Sequence, residues 1–125
     1  MGIDVVKLTA EGKEKLKEFV ERLNIRGALI ATAEGLEMVS YFKESEDADT
    51  IAADTATILM SIQSFLEEVG RGKIREIIIN AEHGSVIIKD LGDGISLAVI
   101  APENYTLGSL LVSLRKFVEE LKGSN

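Results

Sequence analysis

Apolar and polar positions alternate along the chain with two different periods, and the switches between them mark out the elements. From Thr9 to about Leu23, Leu16, Phe19, Val20 and Leu23 recur at helical spacing among lysines and glutamates. This predicts an amphipathic helix capped by Thr9. Arg26–Ala33 and Leu36–Phe42 are apolar and extended, and Glu34-Gly35 between them is a tight-turn signal, so the pair predicts a hairpin. Asp47 then caps a long helix that runs to about Val69 and stops at Gly70-Arg71-Gly72. Ile74–Ala81, Ser85–Leu91 and Ile95–Ala101 read as strands, joined by the short turns Glu82-His83-Gly84 and Gly92-Asp93-Gly94. Pro102 ends the last strand. Asn104 or Thr106 caps a final helix with the stripe Leu107, Leu110, Leu114, Phe117, Leu121.

The predicted order is α-β-β-α-β-β-β-α. Strands such as Ile77-Ile78-Ile79 and Leu97-Ala98-Val99-Ile100 are apolar at consecutive positions, so both faces of the sheet need cover. A layered αβα arrangement (α/β layered, of α+β type) in one domain is the simplest solution. The first and last helices share one face, and the middle helix covers the other alone. The domain spans residues 1–125 with its core at about 10–121, and the tails Met1–Leu8 and Gly123–Asn125 are expected to be flexible.

The middle helix is unusual because no lysine or arginine occurs between Glu44 and Gly70. One of its faces is large and branched, with Ile51, Ile58, Ile62, Phe65 and Val69 among its residues. The opposite face is small and unpolar: Ala52, Ala53, Ala56 and Met60, with Gln63 at its margin. The branched face is expected on the sheet and the small face against another protein chain. The strand Ile74–Ile79, if it lies at a sheet edge, is long and apolar and needs a partner too. Two copies joined edge to edge, with their long helices packed together, would satisfy both demands in a two-fold dimer.

Composition narrows the function. With 46% hydrophobic and 28% charged residues the chain reads as a soluble globular protein. Its apolar runs fall far short of the roughly 18–20 residues that cross a bilayer. There is no cysteine, hence no disulfide or thiolate metal site, and no secretion signal is visible; a cytoplasmic protein is expected. A net charge of −7 argues against nucleic acid and leaves room for a basic protein partner.

No motif assembles a nucleophile, a base and an oxyanion site, so no enzyme and no catalytic residue is expected. His83, the single histidine, falls in a predicted turn and reads as a surface residue. The acidic run Glu44–Asp49 lacks calcium-loop spacing and reads as a solvated helix start. Gly70-Arg71-Gly72-Lys73 follows a helix and precedes a strand, the reverse of a phosphate loop's context. No cofactor and no metal are expected.

Several pieces together resemble the Roadblock family of dynein light chains and small-GTPase regulators. They are Gly27-Ala28-Leu29-Ile30-Ala31-Thr32 with Glu34-Gly35-Leu36, the Ala52-Ala53…Ala56…Leu59 face, Glu82-His83-Gly84-Ser85-Val86-Ile87-Ile88, and Asn104…Leu107-Gly108. The resemblance spans about Ala10 to Leu121. It implies a profilin-like sheet of five antiparallel strands in the order 2-1-5-4-3. It also implies dimers formed through the long helix and the third strand, here Ala52, Ala53, Ala56, Met60 and Gln63 with Ile74 to Asn80 (Ile74, Ile77, Ile78, Ile79, Asn80). The function so implied is a non-enzymatic homodimer that binds a Ras-like small GTPase and adjusts its nucleotide cycle. Two alternatives are a small-ligand sensor and a structural adaptor holding other Roadblock-like chains.

Overall fold

The structure is a computed structural model, and it describes residues 2–123. The element order is α1 (Val5–Leu23), β1 (Gly27–Thr32), β2 (Glu37–Phe42), α2 (Ala48–Glu68), β3 (Glu76–Ala81), β4 (Gly84–Gly92), β5 (Ile95–Pro102) and α3 (Leu107–Leu121). The first helix starts a turn earlier than its central stripe suggests. Asp4, not Thr9, is the cap: its side chain accepts the Lys7 N–H at 3.1 Å. Thr9 lies inside the helix, where its hydroxyl donates back to the Val5 carbonyl. Ile3 and Leu8 are buried, so the expected flexible N-terminal tail is largely part of the core. Met1 and, in the C-terminal tail, residues 124–125 lie outside the described residues.

The sheet has five strands in the order β2-β1-β5-β4-β3, every neighbouring pair antiparallel. Side chains alternate between its faces. Ala28, Ile30, Val99, Leu97 and Ile87 pack with α1 and α3 in the larger core, where Phe19 and Phe117 stack at a centroid distance of 4.3 Å. Tyr105 closes that layer by donating its hydroxyl to the Leu23 carbonyl at 2.7 Å. Leu29 and Ala31 face the other way and form a small core with Ala52, Ala48 and Ile51 of α2.

The cover on this second face is partial. Helix α2 lies over β1 and β2, and burial thins strand by strand beyond them. Leu29, Ala98 and Ile88, cross-strand neighbours on that face, are buried. Ile77 at the end of the same row is half-buried, and Ile79 beside it on β3 is exposed. One helix about 10 Å wide cannot roof a five-stranded sheet whose strands lie about 4.8 Å apart.

Candidate protein-interaction surface

The two edges of the sheet are built differently. At β2 the edge is blunted by polar contacts from α1 and within the strand. Lys13 donates its ammonium to the Ser40 carbonyl at 3.2 Å, Tyr41 donates to Glu21 at 2.8 Å, and Ser40 donates to Glu37. A lysine on an edge carbonyl is one of the ways a sheet avoids further pairing. At β3 the edge carries Ile77, Ile78 and Ile79, and the last two are exposed at 41% and 37%. Alternation sends Ile77 and Ile79 to the α2 face and Ile78 and Asn80 to the other.

Helix α2 is turned differently from the sequence expectation. Its buried residues are Ala52, Thr55 and Ala56, so the small residues face their own sheet. Ala52 and Ala56 are therefore not on an outer surface of the protomer, which corrects their assignment to the dimer surface. The cause is the β1–β2 turn. Gly35, at φ 93°, presses so close that a Cβ there would lie 3.1 Å from the Ala53 Cα and 3.3 Å from the Ala56 Cβ. Only small helix residues permit this approach. Ala53 and Met60 do lie at the surface, Met60 at 68% exposure.

At 100° per residue, the branched residues then fall on one flank of the helix rather than underneath it. Ile58 and Ile62 are half-buried, while Phe65 and Val69 are exposed at 57% and 46%. Ile62 and Leu66 border a groove shared with Ile74 and Ile77, which places this flank on the β3 side. An apolar stripe on α2 and a bare apolar strand thus adjoin one another. The stripe was legible as apolar periodicity; its exposure was not, because periodicity does not say which of two apolar faces meets the sheet.

Gln63 belongs to the protomer's own architecture. Its amide nitrogen donates to the Gly72 carbonyl at 3.1 Å, and its amide oxygen accepts the Ile74 N–H at 3.1 Å. This two-sided clamp holds the connection from α2 to β3, and Ile74 sits in that connection rather than in the strand. At the start of β3, Glu76 receives Arg115 of α3 at 2.8 Å and lies 3.6 Å from Lys89 of β4. Burial pushes the Glu76 carboxyl up, but the Arg115 hydrogen bond and the two cations together hold it below its ordinary value. These contacts fix the edge strand to the body of the domain.

Other residues singled out in the sequence have local roles. Asp47 caps α2, accepting the Thr50 N–H at 3.1 Å and the Thr50 hydroxyl at 2.8 Å. Glu44 pairs with Arg26 at 2.6 Å. His83 is an exposed turn residue 3.4 Å from Glu103. Among the described residues no group of three or more His, Cys, Asp or Glu is placed to hold a metal ion. No helix among them is long and apolar enough to cross a membrane.

The family model of the Roadblock/LC7 domain matches residues 11–101. The chain belongs to the Roadblock/LC7 domain family. Its fold is similar to that of MglB from Myxococcus xanthus, with a TM-score of 0.84 at 16% identity over 91% of this chain and 86% of that one. A second MglB, in a tetrameric arrangement, superposes with a TM-score of 0.82 at 19% identity over 91% of this chain and 87% of that one. An uncharacterised protein of Methanocaldococcus jannaschii is 26% identical over 107 residues, 86% of this chain and 93% of its own length. The Roadblock/LC7 strand order 2-1-5-4-3 is the order found here.

Proposed function

We propose that this Roadblock/LC7 domain forms a two-fold homodimer through β3 and the Ile62–Phe65 flank of α2, and that the dimer is a non-enzymatic, cytoplasmic platform for a Ras-like small GTPase. One observation carries the dimer: the β3 edge, with Ile78 and Ile79 exposed, adjoins a helix flank whose large apolar residues Phe65 and Val69 are exposed. Antiparallel pairing of β3 with β3 of a second copy would satisfy the free backbone groups of both edges and extend the sheet to ten strands. Burying Phe65 and Ile79 would each contribute roughly 1.5–3 kcal/mol. The tetrameric arrangement of one MglB supports self-association as a habit of this fold. The GTPase half of the reading rests on family membership.

The test has two stages. Light scattering on the wild type and on Phe65→Glu and Ile79→Lys should give a dimer mass for the first and a monomer mass for the variants, with unchanged circular dichroism. A wild type that is monomeric at tens of micromolar, a concentration where an interface of standard size is normally occupied, sinks the dimer. Affinity capture from the source lysate, followed by nucleotide hydrolysis and exchange assays on any recovered GTPase, then separates a regulator from a passive adaptor.

A further inference from the structure

The two ends of the β3 edge carry opposite charge. The connection leading into the strand holds three exposed cations, Arg71, Lys73 and Arg75. They border a groove of about 670 Å³ whose apolar wall includes Ile62, Leu66 and Ile77. The one carboxylate lining that groove, Glu76, is already engaged by Arg115 at 2.8 Å and Lys89 at 3.6 Å. Glu67, in the last turn of α2, reaches Gln63 instead. Among the described residues no carboxylate pairs with Arg71, Lys73 or Arg75. The far end of the strand is acidic. Glu82 follows Ala81 in an exposed turn, and Glu82 and Glu103 both approach His83, at 3.8 and 3.4 Å.

Antiparallel pairing of two copies brings the start of one β3 to the end of the other. Directly opposed residues of such a pair share a face of the sheet. Copies that keep their α2 helices on one side must therefore match even positions with even and odd with odd. Three registers centre on an isoleucine. Centred on Ile77, the pairing sets Ile78 against Glu76 and Ile79 against Arg75. Centred on Ile79, it sets Ile78 against Asn80 and Glu76 against Glu82, a like-charge pair that destabilises. Centred on Ile78, it sets Ile77 against Ile79 twice on the α2 face and Ile78 against itself on the other. Glu76 then meets Asn80, and Ile74 meets Glu82 of the other copy, so that Lys73 and Arg75 flank that carboxylate.

We propose that a second copy docks on β3 in the register centred on Ile78, and that Arg71, Lys73 and Arg75 select it by closing on its acidic β3–β4 turn, Glu82 and Glu103. The inference rests on the reading of β3 as the self-association edge. It adds which residues meet and what makes the partner another copy of this chain. Each copy presents both signs, so a two-fold dimer closes the same charge contact twice, and a strand equally apolar but without an acidic turn closes it at most once. Burial of the isoleucines supplies the attraction, while the charged ends fix register and partner choice.

The chain has no cysteine, so a single introduced thiol reports the register. Opposed residues lie about 4.5–5.5 Å apart between Cα atoms, within the span of a disulfide. With oxidised glutathione, Ile78→Cys should form a covalent dimer by itself. Ile77→Cys and Ile79→Cys should crosslink when mixed, and neither alone. Self-crosslinking of Ile77→Cys or Ile79→Cys, with none at Ile78→Cys, overturns the register. Charge selection is read by sedimentation of Arg71→Glu/Lys73→Glu and of Glu82→Lys/Glu103→Lys. All four positions are exposed, so circular dichroism should match the wild type. Each variant alone should dimerise about tenfold or more weakly than the wild type. An equimolar mixture should recover the wild-type affinity as a heterodimer, because the exchanged charges complement one another at both contacts. Undiminished dimerisation of either variant, or no recovery on mixing, overturns the selection. A monomeric wild type overturns the dimer reading and this inference with it. A dimeric wild type with the wrong crosslinks, or with charge-insensitive association, overturns the inference and leaves the dimer standing.

Discussion

Gly84 and Gln63 show how single residues set the position of the β3 edge. Gly84 opens β4 at φ 140°, and a Cβ there would lie 2.3 Å from the Ala101 carbonyl oxygen, a backbone atom of the central strand that cannot step aside. Gly84→Ala should therefore cost about 3 kcal/mol in urea unfolding, through strain and the clash together. Gln63 acts on the other end of the edge strand through its bonds to Gly72 and Ile74. Gln63→Ala should cost only about 1 kcal/mol, because the freed backbone groups can turn to water. Its clearer signature is faster hydrogen exchange at the Ile74 amide with little change at Ile88. The sequence marked Gly84 as a turn residue, whereas it is the first residue of β4, paired with Ala81 and Pro102. It could not show that Gln63 is spent inside the protomer, since a glutamine at a helix margin looks the same whether its amide meets a loop or a partner.

At the scale of elements, α2 is defined by its ends and by what presses on its middle. Asp47 was readable as a cap because a carboxylate before an apolar run has few other local uses, and the Thr50 bonds bear this out. Those bonds, the side-chain hydroxyl first, hold the Asp47 carboxyl below the ordinary value of 3.8. The folded value is the lower one, so the cap contributes stability that is fully present above the unfolded pKa and is lost as pH falls through the folded value. Glu76 has the same sign, with an ordinary value of 4.5. Melting temperature measured from pH 7 downward should accordingly hold until about pH 4.5 and then drop. Asp47→Asn and Glu76→Gln should each lower the plateau and flatten the acid limb. The middle of the helix is where sequence reading went astray. Two apolar faces compete for one sheet, and the winner is decided by the approach of Gly35, a contact across more than fifteen residues of chain that periodicity cannot register.

At the scale of the molecule, the two sheet edges differ in a way that directs assembly. Lys13 covers a backbone carbonyl of the β2 edge, whereas the β3 edge, held at its start by Arg115 and Lys89, exposes Ile78 and Ile79 along its middle. If the β3 side joins two copies, the unfolding midpoint should rise with protein concentration, because folding is then linked to association. Phe65→Glu should abolish that dependence while leaving the midpoint at low concentration nearly unchanged, since Phe65 is largely exposed in the protomer. A concentration-independent midpoint for the wild type would count against dimerisation across the range measured. The order of elements and the layering were both legible from the run of apolar periods. That β3 rather than another strand lies at an edge came from family resemblance and was confirmed by the pairing.

By itself the sequence determined the number, type and order of the elements, the α2 cap and the hairpin turns, because these depend on contacts a few residues apart: hydrogen bonds to a nearby carboxylate, turn glycines, and repeats of 2 or 3.6 residues. Tertiary structure decided which face of α2 is buried, that Asp4 starts α1 so that Leu8 can reach the core, and that the roof over the sheet stops short of β3. Each of these depends on how closely two distant segments can approach. That is a matter of volumes meeting in space, and a linear pattern carries the volumes without the meeting.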